Sequence, residues 1–268
     1  MNYRLLALDI DGTLTNSKKE ISTPTLEALL DIQKKGYSVV IATGRPTYGA
    51  ADLADELQFD KFGSYVLSYN GGLITNWKTK EDVYRQTLPK SVIPELYDFA
   101  VENNIGINTY KDDTIIAGTE INKYMQLEAT ITKMKIKHVD DWKSFVNFPI
   151  IKCLMTGEPE VIEEMEHKLK KRYNSLLNVF RSEPFFLEVM PKNIDKAQSL
   201  LRLLTSLGLS SEQMICCGDG FNDISMIEIA GLGVAMENAQ EAVKAAADFV
   251  TDSNDDNGIL KVIQKFLM

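Results

Sequence analysis

The sequence predicts an α/β protein, a parallel sheet with helices on both faces, interrupted by an inserted α+β unit. Three observations predict it. Short, nearly continuous apolar runs at residues 3–10 and 37–42 have the composition of strands buried on both faces. A helix-patterned segment lies between them, giving the strand–helix–strand order that parallel pairing requires. That alternation lapses in the middle of the chain and returns near residue 190.

Taken in order, residues 3–10 form the first strand. Thr23 caps the helix that follows, with Pro24 at its first position, Leu26, Leu29 and Leu30 as its apolar stripe, and Gly36 at its end. Residues 37–42 are the second strand and lead into Thr43-Gly44-Arg45. Asn70-Gly71-Gly72 joins residues 65–69 to 73–74 as a hairpin, with glycine available where φ must be positive. Residues 92–101, 120–129 and 160–173 read as helices. In the last of these, Glu160, Glu163 and Glu164 come early and Lys168, Lys170, Lys171 and Arg172 come late, matching the helix dipole. Together with short strands near 150–155, 177–180 and 185–189 they make the inserted unit, expected at residues 84–188. Residues 1–83 and 189–268 are then one discontinuous core. Its second part reads as a helix at 196–207, a strand at 214–217, a helix at 223–230, strands at 233–236 and 249–251, and a closing helix at 259–267.

Bulk properties narrow the function. The chain has 268 residues, 44% hydrophobic and 25% charged, enough for one large domain or two modest ones. A net charge of −9 argues against a nucleic-acid partner, whose phosphate backbone needs a basic face. A small anionic substrate stays open, since a metal and a lysine can reverse the field inside a pocket. No apolar run approaches the ~20 residues of a membrane span and no signal-peptide pattern is present, so a cytoplasmic address without a membrane partner is expected. Cys153, Cys216 and Cys217 sit among apolar neighbours and are expected as reduced core residues. His138 and His167 lack partners at a metal-binding spacing, which sets histidine chemistry aside. The oligomeric state stays open.

The chemistry concentrates at strand ends. Asp9-Ile10-Asp11-Gly12-Thr13 closes the first buried strand, and residues two apart on an extended chain face the same way. Two carboxylates ~4 Å apart repel by ~4 kcal/mol at an effective dielectric of about 20, so the pair calls for a proton or cation between them. An EF-hand loop also starts with alternate aspartates, and Glu20 stands where its bidentate ligand would be. Its sixth position requires glycine, however, and here that position is Leu14. Gly218-Asp219-Gly220-Phe221-Asn222-Asp223 follows a second apolar strand; alone, it reads equally as a helix cap with Asp223 accepting backbone N–H groups. Paired with the first cluster, it makes a site of oxygen ligands without His or Cys, which points to Mg²⁺. Thr43-Gly44-Arg45 can bind phosphate oxygens through a hydroxyl and backbone N–H groups. Lys196 stands at a helix start, where its ammonium can reach an anion.

These four elements, in this order, resemble the four motifs of the haloacid dehalogenase superfamily: Asp9-x-Asp11-Gly12-Thr13, Thr43, Lys196, and Gly218-Asp219-x-x-Asn222-Asp223. Ala42-Thr43-Gly44-Arg45, the Asn70-Gly71-Gly72 hairpin and Val234-Ala235-Met236-Glu237-Asn238-Ala239 resemble its Cof-type phosphatase branch. Asn193-Ile194-Asp195-Lys196-Ala197 departs from that branch's usual Gly-Val-(Ser/Asp)-Lys-Gly, keeping only the lysine.

The resemblance implies a Rossmann-like core with an inserted C2B-type cap, and a Mg²⁺-dependent phosphatase of small phosphate monoesters acting through an aspartyl-phosphate. It implies Asp9 as nucleophile and Asp11 as acid and base. Asp9, Asp11 and Asp219 would surround the metal, with Asp11 contributing its main-chain carbonyl in the family. Ile10, Thr43, Gly44, Lys196 and Asn222 would bind phosphate, with Asp223 and Arg45 in support. The expected partner is a small phosphorylated metabolite such as a sugar phosphate. A phosphomutase using the same aspartate pair and a non-catalytic phospholigand-binding protein are the alternatives.

Overall fold

A computed structural model describes residues 3–268. The chain divides into two compact units, one formed by residues up to 84 with 195–268, the other by residues 85–194. The strands, in chain order, are β1 (Leu5–Leu8), β2 (Ser38–Ala42), β3 (Tyr65–Ser68), β4 (Leu73–Asn76), β5 (Asp82–Arg85), β6 (Gly106–Lys111), β7 (Thr114–Ala117), β8 (Lys135–His138), β9 (Cys153–Thr156), β10 (Leu177–Glu183), β11 (Phe186–Pro191), β12 (Met214–Gly218), β13 (Leu232–Ala235) and β14 (Phe249–Val250).

The larger sheet has the order β14-β13-β12-β1-β2-β3-β4-β5. From β14 to β3 every pairing is parallel, and β4 returns antiparallel to β3. The two-residue period of a strand sorts its side chains into two cores. Leu6 and Leu8, Val39 and Ile41, and Ile215 and Cys217 pack with Leu29, Ile32, Val262 and Ile263 from helices Thr23–Lys34 and Gly258–Phe266. Leu5 and Ala7, Val40 and Ala42, and Met214 and Cys216 pack on the opposite face with Leu200, Leu203 and Leu204 of helix Lys196–Leu207. Burial on both faces is why these strands read as unbroken apolar runs. β1 lies between β2 and β12, so the chain leaves it in opposite directions in its two halves. Crevices at the carboxyl ends of strands around such a switch point are where open α/β sheets bind ligands.

The second unit has a six-stranded sheet in the order β10-β11-β9-β6-β7-β8. Helices Val92–Glu102 and Pro159–Tyr173 send Leu96, Phe99, Ile162, Met165 and Leu169 against Ile107, Met155, Leu187 and Val189. The second crossing between units falls after Ile194 rather than at the expected 188–189, because β11 continues to Pro191 within this sheet. The sequence-based reading also omits β5 to β8. β6 carries Asn108 and Thr109 among its buried residues, and β8 is mostly exposed and cationic, so neither shows an apolar run or a clean alternation. The helix expected at 120–129 is Lys123–Thr132, because the Asn122 side chain accepts from the N–H groups of Tyr124 and Met125 and fixes the start there. Ser22, not Thr23, occupies the first cap position; its hydroxyl bonds Thr25 and Asn257 instead of capping the backbone.

Among the described residues, no helix is long and apolar enough to cross a membrane. All three cysteines are buried and unpaired, and burial pushes the Cys153 thiol up to about 12. His138 and His167 are exposed.

Candidate active site

The residues singled out by sequence gather at the carboxyl edge of the larger sheet. Leu8 and Cys217 are in register on neighbouring strands, and the N–H of Asp9 donates to the carbonyl of Cys217 over 3.1 Å. Asp9 and Asp219 therefore leave adjacent strand ends side by side. Thr43 follows β2, its N–H bonded to the Leu67 carbonyl (2.8 Å) and its hydroxyl accepting from the Arg45 N–H (3.1 Å).

Lys196 is the buried centre of this arrangement, at 0% exposure, whereas a lysine opening a helix is ordinarily solvated. Asp195 caps the helix through the Gln198 N–H (2.7 Å), which turns the first helical residue inward. The Lys196 ammonium donates to Asp9 Oδ1 and to Asp223 Oδ1, each over 2.6 Å. Asp223 accepts with its other oxygen from the N–H groups of Asp219 (3.0 Å) and Gly220 (2.9 Å). Asp223 thus makes no side-chain cap to the helix Ile224–Ile229 that follows it; its bond to the Gly220 N–H closes the short turn Phe221–Asp223, and it is also a partner of the lysine.

Carboxylate oxygens of Asp9, Asp219 and Asp223 all lie within 4.8 Å of one another. Burial pushes Asp9 up to about 8, against the pull of the Lys196 ammonium, and Asp223 and Asp219 push the same way as burial. Burial likewise raises Asp219 to about 6, although the Thr13 hydroxyl donates to it over 2.8 Å. Burial works against the charged form of Lys196 too, but Asp223 and Asp9 outweigh it and raise its pKa. Three carboxylates against one ammonium leave two negative charges uncompensated if all ionise. The donor set is oxygen alone, so a hard divalent cation fits both the charge and the chemistry.

Asp11 corrects one expectation. Its carboxylate does not join the cluster; it meets Arg45 through Nε (2.7 Å) and Nη2 (2.6 Å), and Lys19 through Nζ (2.7 Å). Burial would raise the Asp11 pKa, and these two cations hold it below the usual carboxylate range. β1 ends at Leu8, so the two-residue period that would align Asp9 with Asp11 no longer applies beyond it. Asp223 supplies the third carboxylate of the cluster, while the main-chain carbonyl expected of Asp11 toward a metal is a different atom from the one Arg45 and Lys19 hold. The Ile10 side chain is fully buried in the core, so the phosphate contact expected of it falls to its backbone. Asn222 donates to Asn70 Oδ1 over 3.0 Å. Gly44 lies beside the same amide, where a Cβ would sit 3.2 Å from Asn70 Oδ1.

Several contributors were not assigned from sequence. Thr13 stood within the first motif, and its bond to Asp219 explains a hydroxyl there. Asn238 stood within the Val234–Ala239 motif without a role, and its amide donates to the Gly12 carbonyl over 2.8 Å; Lys19 gave no local signal because its partner is set by the fold. Gly12 has φ of +79°, and a Cβ on it would lie 2.3 Å from Asp219 Oδ2. Gly12→Ala is therefore expected to displace Asp219 and cut kcat/KM about 100-fold, measured by phosphate release. A variant within threefold of wild type would mean that the tight approach has no catalytic consequence.

Comparison with known proteins agrees with this geometry. Residues 6–263 match the sequence signature of the haloacid dehalogenase-like hydrolases. The chain is 32% identical to the 5-amino-6-(5-phospho-D-ribitylamino)uracil phosphatase YcsE of Bacillus subtilis (strain 168), over 100% of this chain and 97% of that protein. A crystal structure of a haloacid dehalogenase-like hydrolase from Bacteroides thetaiotaomicron superposes with a TM-score of 0.95 at 48% identity, over 98% of this chain and 99% of the other. The subclass IIB sugar phosphatase BT4131 superposes with a TM-score of 0.84 at 27% identity, over 98% of each chain. The chain belongs to the haloacid dehalogenase-like hydrolases, in their Cof-type branch, and is a phosphatase.

Proposed function

We propose that this phosphatase is Mg²⁺-dependent and hydrolyses small phosphorylated sugars or polyols through an aspartyl-phosphate on Asp9. The observation that carries the reading is the buried Lys196 ammonium shared by Asp9 and Asp223, with Asp219 beside them. Asp9 attacks phosphorus and needs no base once ionised. Burial opposes that ionisation, so positive charge at the site is a requirement of the chemistry. Mg²⁺ held by Asp9, Asp219 and Asp223 would supply it, offsetting repulsion between the carboxylate and the phosphate. Lys196 screens Asp9 through their 2.6 Å hydrogen bond and steadies charge that develops on the phosphoryl oxygens. Thr43 and the backbone around Gly44 hold those oxygens, and Asn222, steadied by Asn70, contributes an amide. Asp11 gives a proton to the leaving alcohol and takes one from water in the second step. Arg45 and Lys19 keep it ionised in this structure, so Asp11 must loosen from them to accept its proton.

The relatives named for ribityl-phosphate and sugar substrates support a hydroxyl-rich ester. The proposal carries with it a small phosphorylated metabolite as partner, neither nucleic acid nor membrane, and a cytoplasmic setting. A phosphate-release screen across phosphorylated metabolites, run without a bisphosphate activator, tests it; silence on every ester would sink it.

Metal removal gives a second test. EDTA is expected to stop phosphate release and Mg²⁺ to restore it. A cation must compete with the proton for Asp219, so the Mg²⁺ concentration for half-maximal rate is expected to rise as pH falls through about 6. Turnover that persists in EDTA would refute the cation requirement.

A further inference from the structure

We infer that Asn70 is a positioning residue for phosphate binding: it holds the Asn222 amide in the orientation that leaves an N–H to donate, and the turn carrying it is kept left-handed for that purpose. The inference rests on the reading above that Asn222 contacts phosphate. All the residues involved belong to the unit formed by residues up to 84 with 195–268.

Residues 69–72 join β3 to β4, with Ser68 opposite Leu73. Four-residue hairpin loops are most often built on a type I turn, whose central residues are right-handed. Here Tyr69 and Asn70 have φ of +52° and +51°, the only consecutive non-glycine residues with positive φ among the described residues. Asparagine tolerates that region, but a bulky tyrosine is an outlier in it. Of the two glycines that follow, Gly71 has φ of +100° and Gly72 of −64°. The turn is therefore left-handed one residue earlier than its glycines call for, as happens where the surroundings impose a conformation.

Those surroundings belong to the candidate site. The Asn70 N–H donates to the Thr43 carbonyl over 2.9 Å, and the Tyr69 N–H to the Arg45 carbonyl over 3.0 Å. Ser199, on the helix that Lys196 opens, donates its hydroxyl to the Gly71 carbonyl over 2.8 Å. The turn is thus fixed between that helix and residues 43–45. It delivers the Asn70 side chain, 6% exposed, to Asn222, whose Nδ2 donates to Asn70 Oδ1 over 3.0 Å. Gly44 admits the Asn70 amide, since a Cβ there would lie 3.2 Å from its Oδ1 and 3.3 Å from its Nδ2.

The consequence is chemical. A carboxamide carries two N–H donors on one side and an acceptor oxygen on the other, and a half-turn exchanges them. Turned the wrong way, Asn222 would set its oxygen against phosphate oxygens. An acceptor at residue 70 selects the other orientation: it takes up one Asn222 N–H, and the second, on the same nitrogen, stays available to an anion. Asn70 then acts through Asn222 and need not touch the substrate.

The test is a double-mutant cycle of Asn70→Gly and Asn222→Ala on p-nitrophenyl phosphate, with inorganic phosphate as competitive inhibitor and melting temperatures in parallel. Glycine adopts positive φ freely, so Asn70→Gly keeps the turn and removes only the amide. It is expected to lose about 10- to 100-fold in kcat/KM and to weaken inhibition by phosphate about 10-fold, while staying folded. The double variant is expected within about threefold of Asn222→Ala, because the two residues act in series. If Asn70→Gly stays within threefold of wild type while Asn222→Ala is impaired, Asn70 only shapes the turn and the inference is overturned. Losses that multiply in the double variant overturn it as well, since Asn70 would then act independently of Asn222. If Asn222→Ala itself stays within threefold of wild type, the phosphate contact proposed for Asn222 fails and takes this inference with it. Should the wild type release no phosphate, that reading fails separately, and titration calorimetry with orthovanadate decides: tighter binding by wild type than by Asn70→Gly supports the positioning role, and equal binding overturns it.

Discussion

Asp9→Asn is expected to leave less than about 1% of wild-type phosphate release while the protein keeps its fold. Asparagine has the shape of aspartate and still offers Lys196 an oxygen, but it cannot form the acyl-phosphate bond. Stability should move the other way in the absence of metal. Burial raises Asp9 to about 8 from an unfolded value near 3.8. A carboxyl group shifted upward favours the folded state most at pH below its unfolded value, and that contribution drains away as pH rises to the folded one. Asparagine has no such dependence. The melting temperature of Asp9→Asn, relative to wild type in EDTA, should therefore climb between about pH 4 and pH 8. Added Mg²⁺ should favour the wild type and narrow the gap. Calorimetric scans across that range with a coupled phosphate assay check both parts. Residual turnover above about 1%, in a folded variant, would remove Asp9 as the nucleophile.

The sequence announced the larger sheet because its strands are buried on both faces, and such strands must be written in apolar residues. β1, β2 and β12 were legible for that reason, and the chemistry was legible because Asp9, Thr43 and Asp219 each follow one of them directly. Where a strand carries polar side chains inward, as β6 does with Asn108, the same rule hides it. Local motifs also cannot report which way a side chain turns after its strand has ended. Asp11 reads as Asp9's companion in the chain, but Arg45, 34 residues away, claims its carboxylate. Asp223 reads as a cap from its own position; a supporting role toward Lys196 is implied only by the family resemblance, and the fold brings the two, 27 residues apart in sequence, within 2.6 Å. The departure around Lys196 from the usual branch pattern is absorbed by Asp195, whose cap bond still orients the lysine.

Lys196→Met is expected to carry the largest stability penalty of any single change at the site, together with a rate loss of about 1000-fold. The methylene stem of methionine fills most of the same space, so packing is largely preserved. What disappears is the one ammonium between Asp9 and Asp223, which lie 10% and 1% exposed at their side chains. Removing one partner of a buried charged pair typically costs about 3–5 kcal/mol because the other charge is left without compensation. For a chain of this size that corresponds to a fall of roughly 6–20 °C in melting temperature. The pH dependence distinguishes this from a packing defect. Asp223 and Asp9 raise the Lys196 pKa above its ordinary 10.5, so the wild-type contribution of the lysine is complete at any pH below that value. In the variant, the orphaned carboxyl groups are tolerated when protonated and penalised when ionised. The deficit should thus be small near pH 4 and grow toward pH 8. Combining Lys196→Met with Asp9→Asn closes a double-mutant cycle, in which removing one orphaned acid should return part of the lost stability. If the double variant melts no higher than Lys196→Met, and the deficit is flat with pH, Lys196 is holding the helix start in place through its aliphatic stem, and charge compensation is not its role.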